Sequence, residues 1–125
     1  MKVKEIDSKY GFEETVSILQ KAVEENGLKV ISIIDAQANL KRAGIEIKGN
    51  KILEVFHPKL AKEVFEKDLR AGIIPPVRIY IYEENNSVHV AVQNAADLFS
   101  QYNGLTELAQ KVDEMLSNIS ATVSK

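Results

Sequence analysis

The chain has 125 residues, 45% of them hydrophobic and 27% charged, with a net charge of −2, so it carries one ordinary globular core and reads as a single domain over 1–125. It contains no cysteine, which excludes disulfides, iron–sulfur clusters, thiol nucleophiles and thiolate zinc sites. Acids and bases alternate along the chain and Lys and Arg gather in no stripe, which argues against nucleic acid as a partner.

The start, Met1-Lys2-Val3-Lys4-Glu5-Ile6-Asp7, is too charged for a signal peptide, and residues 2–7 read as a strand. Phe12, Val16, Leu19 and Val23 recur at helical spacing and predict a helix over 12–26. Glu13 and Glu14 favour the positive end of its dipole, and Asn26-Gly27 stops it. Residues 28–34 are rich in Val and Ile and too short for another helix, so they read as a strand. Asp35 is placed to cap a short helix running to Arg42, ended by Gly44. A strand over 51–56 follows, then a helix opened by Pro58, where a missing N–H is no loss. Residues 68–76 read as irregular.

Residues 77–83 and 88–93 read as a hairpin closed by Asn85-Asn86, because Asn tolerates the positive φ of a two-residue turn. Val77, Ile79 and Ile81 fall on odd numbers and Val88, Val90 and Val92 on even ones. Paired positions across such a turn sum to an odd number, so Ile81 meets Val90, Ile79 meets Val92, and both apolar sets share one face. A short helix near 95–101 and a long one over 105–119 close the chain, and 120–125 is expected to fray. The order β-α-β-(α)-β-α-β-β-α predicts an α+β fold, its largely antiparallel sheet carrying helices on one face. No apolar run is long enough to span a bilayer, so a soluble cytoplasmic protein without a membrane partner is expected.

Three segments carry a resemblance: Tyr10-Gly11-Phe12-Glu13-Glu14-Thr15-Val16, the stretch from Ile52-Leu53 to His57-Pro58-Lys59-Leu60-Ala61, and Pro76-Val77-Arg78-Ile79-Tyr80-Ile81-Tyr82-Glu83. In order and spacing the chain resembles the family called domain of unknown function 302, from about residue 3 to residue 119. The resemblance implies a TATA-binding-protein-like α+β fold and a homodimer, and it implies no reaction. Many members of that family carry Cys near the positions of Phe56 and Val77. Their absence here removes any thiol or metal role at those positions.

The hairpin's second face displays Arg78, Tyr80, Tyr82, His89 and Gln93, with Tyr82 opposite His89 and Arg78 opposite Gln93. A cation, phenols, an imidazole and an amide suit an anionic or aromatic ligand; the plainer reading is a solvated or dimer-buried sheet face. His57, ahead of Pro58, and Asp35, at the end of a strand, form an acid–base pair if they converge. Otherwise Asp35 is a helix cap and His57 an exposed junction residue. Two His residues with no HxH, HExxH or nearby carboxylate cluster predict no metal, and the isolated glycines form no cofactor fingerprint. The expected function is a homodimeric module binding a small molecule or protein partner. The alternative is a small enzyme built on a His57/Asp35/Arg78 pocket.

Overall fold

Amphipathic helices with a single apolar stripe need a common surface, and one face of a sheet supplies it. The computed structural model describes residues 1–125. Its elements are β1 (Val3–Asp7), α1 (Phe12–Glu25), β2 (Lys29–Asp35), α2 (Ala36–Arg42), β3 (Asn50–Phe56), α3 (Pro58–Lys67), β4 (Val77–Glu84), β5 (Ser87–Gln93), α4 (Ala95–Phe99) and α5 (Thr106–Ala121). The five strands form one antiparallel sheet in the order β1-β5-β4-β3-β2. The fold is therefore α+β, as the element order predicts.

One cluster of 26 buried residues lies between the sheet and the helices. Leu19 and Val23 of α1, Val64 of α3, and Leu116 and Ile119 of α5 meet Leu53, Val55, Ile79, Ile81 and Val90 there. Alternation is clean in β4, where Val77, Ile79 and Ile81 are buried while Arg78 is exposed and Tyr80 and Tyr82 are half-buried. The hairpin register is the expected one, with Ile81 paired to Val90 and Ile79 to Val92. Asn85 and Asn86 take φ of 54° and 61°, the left-handed pair that a twisted two-residue hairpin requires.

Two local expectations change. The C-terminal tail is tied down instead of frayed: α5 runs to Ala121 and Val123 has no exposed surface. Lys9 N–H donates to the Val123 carbonyl at 2.9 Å and Lys125 N–H to the Asp7 carbonyl at 3.0 Å, so the tail pairs with the end of β1. Long-range pairing of this kind leaves no periodicity in six residues. Residues 68–76 are partly ordered as well. A 3-10 turn spans Leu69–Ile73, and the Asp68 carboxylate accepts the Arg70 N–H at 3.0 Å to open it.

Candidate functional site

The other face of the sheet has no helix on it, and its side chains fall into rows that cross the strands. Ile34 pairs with Ile52, Ile52 with Tyr80, and Tyr80 with Ala91. This gives an apolar row over four strands. On one side runs a polar row, Glu54, Arg78 and Gln93, with Val3 beyond it on β1. On the other side runs a second polar row, Asn50, Tyr82, His89 and Asp7.

Neighbours hold these side chains in place. The Tyr80 and Tyr82 rings stack at 4.9 Å between centroids, and Tyr82 lies 5.1 Å from the His89 ring. Asn50 Nδ2 donates to the Tyr80 hydroxyl at 2.7 Å. Arg78 Nε stands 3.4 Å from Glu54 Oε2, and the Arg78 backbone N–H donates to Gln93 Oε1 at 2.9 Å. His89 Nδ1 lies 2.7 Å from Asp7 Oδ1. That hydrogen bond favours the imidazolium and raises the His89 pKa above its ordinary 6.5. Burial, with the nearby Glu5 and Glu84 charges second, raises the Tyr82 phenol above 10.0, so it stays neutral.

At the Arg78 end, the chain entering β4 rises beside this face and makes a cleft of about 290 Å³. Ile73, Ile74 and Leu98 form its apolar wall, while Glu54, Arg78 and Gln93 supply its polar floor.

The structure gathers Arg78, Tyr80, Tyr82, His89 and Gln93 on one surface and separates them from the other two named residues. Asp35 pairs with Lys51, while Lys29, at the far end of β2, pairs with Phe56, the neighbour of His57. Six residues of strand therefore lie between Asp35 and the His57 end, about 20 Å at the usual rise. Asp35 Oδ1 accepts the Ala38 N–H at 2.9 Å and caps α2; His57 Nδ1 accepts the Leu60 N–H at 3.2 Å and caps α3. His57 borders an apolar crevice of about 30 Å³ among Leu28, Leu60 and Phe99, on the helix side of the sheet. Arg78, paired across to Glu54, is on the open side. The His57/Asp35/Arg78 pocket does not form, because antiparallel pairing sends the first two residues to opposite ends of the sheet. No group of three or more His, Cys, Asp or Glu side chains is close enough to hold a metal ion, and no helix is long and apolar enough to cross a membrane.

The model of the family described as domain of unknown function DUF302 matches residues 4–123. The chain belongs to the DUF302 family. A solved DUF302 structure, that of an uncharacterized conserved protein from Bacillus stearothermophilus, superposes with a TM-score of 0.82. It is 22% identical, over 98% of this chain and 96% of that one, a likeness that speaks to fold alone. No curated protein matches the sequence. In this DUF302 domain, sequence reasoning missed Asp7, Asn50 and Glu54 as members of the face, because each joins it through strand pairing with a distant segment. Ile73 carried a faint signal, an isoleucine in a segment without a periodic partner.

Proposed function

We propose that this DUF302 domain is a cytoplasmic, homodimeric binding module that works through the open face of its sheet. The observation behind this reading is the apolar row Ile34, Ile52, Tyr80 and Ala91 flanked by two polar rows. An apolar centre inside a polar rim is the anatomy of a protein interface. Mutual stacking and hydrogen bonds already hold Tyr80 and Tyr82, so little side-chain entropy remains to be lost on association. Five strands about 4.8 Å apart, each contributing about 20 Å of length, offer roughly 500 Å² per copy. Two such faces bury about 1,000 Å², the lower bound for a specific interface, so a reversible, concentration-dependent dimer is expected.

Native mass spectrometry of untagged protein tests this. The wild type is expected to give a species of twice the 13.9 kDa chain mass, increasing with concentration. Tyr80→Ala combined with Tyr82→Ala should weaken it by ~10-fold or more, as loss of central aromatic anchors does. A wild-type monomer at every concentration, or a dimer indifferent to the double substitution, would remove the basis for the reading.

A further inference from the structure

The cleft at the Arg78 end of the open face has a chemistry of its own. Its wall is aliphatic, from Ile73, Ile74 and Leu98, and carries no aromatic plane for stacking. Its floor holds the Arg78 guanidinium, about half exposed, whose Nε faces Glu54 at 3.4 Å. The guanidinium makes no hydrogen bond within the chain; the hydrogen bond at this residue comes from its backbone N–H, to Gln93. The Nη N–H groups, a planar fork matched to a carboxylate, are thus left for a ligand. The Gln93 amide beside them is engaged at both ends, Oε1 accepting the Arg78 N–H and Nε2 donating to Met1 Sδ at 3.1 Å. Ile73 stands at the rim with 82% of its surface exposed, the most exposed large aliphatic in the chain. The volume of about 290 Å³ lies just below the usual range for ligand sites, which suits a small ligand. The hollow beside α2 is larger, about 470 Å³, but only Ala38 and Ile47 in its lining are apolar, so it offers a hydrocarbon body little to bury against.

We propose that this cleft binds a small aliphatic carboxylate, its carboxylate on the Arg78 fork and its hydrocarbon body against Ile73, Ile74 and Leu98. Glu54 holds the guanidinium through Nε. The aliphatic wall of Ile73, Ile74 and Leu98 offers no partner to a second carboxylate at the far end of the ligand, which selects monoanions over dianions. The inference rests on the open face being the working surface, and it adds the ligand's chemical class. Because the Arg78 row belongs to that face, the carboxylate binds the monomer in competition with the second copy.

The test is a titration of full-length, isotope-labelled protein with sodium octanoate, followed by amide and side-chain shifts, beside parallel titrations with 1-octanol and suberate. Saturable shifts are expected at Ile73, Arg78, Gln93 and Leu98, with octanoate binding ~10-fold or more tighter than the neutral alcohol. Arg78→Gln should abolish that preference, and Ile73→Ser, a substitution at an exposed position, should weaken octanoate without altering the fold. Suberate, the dianion, should bind less well than octanoate. Absence of saturable shifts, shifts elsewhere, or equal binding to wild type and Arg78→Gln would each overturn the assignment. The dimer is read separately, by mass without any carboxylate present, so failure of the ligand and failure of the interface give different results.

Discussion

His89 reports on the open face chiefly through its contact with Asp7. Its Nδ1 lies 2.7 Å from Asp7, and this partner raises its pKa above 6.5 in the folded protein. A raised folded pKa means the charged form is stabilised by folding. That contribution is fully present below about pH 6.5 and is lost as pH rises through the folded value. Asp7→Asn should bring the His89 pKa back toward 6.5, followed by the imidazole proton shifts against pH. An unchanged titration would mean that Asp7 does not carry the effect. Gly49 is constrained differently. A Cβ there would stand 2.6 Å from the Phe12 ring and 2.5 Å from Glu83 Oε1, which accepts the Gly49 N–H. Gly49→Ala should therefore destabilise by about 1–3 kcal/mol, the usual consequence of overpacking. Urea unfolding with no change in midpoint would show that the ring moves aside freely.

At the scale of elements, what was legible in the sequence was periodic or local. The hairpin register followed from the parity of Val77, Ile79, Ile81, Val88, Val90 and Val92, because a slip would expose one whole set. α1 followed from its stripe and from Gly27, which takes φ of 83° at its end. Strand order was not legible. Nothing in residues 2–7 says that β1 lies against β5, so the partnership of Asp7 with His89 had to wait for the fold. α4 has a local cap, Asn94, whose Oδ1 accepts the Asp97 N–H at 2.7 Å, and a second, long-range one that was hidden for the same reason. Asp113 of α5 accepts the Ala95 and Ala96 N–H groups at 2.6 and 3.0 Å, from eighteen and seventeen residues away. Asp113→Ala should lose about 1–2 kcal/mol, as removal of a helix cap does, and should loosen α4 from α5. Amide exchange at Ala95 and Ala96 checks it; unchanged protection would mean the carboxylate is dispensable.

Across the whole molecule, the sheet has two faces with different fates. One packs against helices in a 26-residue core. The other is left with an apolar row between polar rows. The tail belongs to the first of these. Val123 is fully buried, its carbonyl accepts the Lys9 N–H, and Lys125 N–H donates to the Asp7 carbonyl at the end of β1. Truncation after Thr122 should therefore cost about 2 kcal/mol of stability, the scale of one buried Val, measured by denaturant midpoint. A fraying tail would give no change.

The open face is tested most directly by mixing labelled with unlabelled protein and recording NOEs that pass only between copies. Contacts from the side chains of Ile34, Ile52, Tyr80 and Tyr82 to the unlabelled copy are the expected result. Intermolecular contacts confined to α1, α3 or α5, or none from these side chains at concentrations where the mass is that of a dimer, would contradict the interface and return the face to solvent.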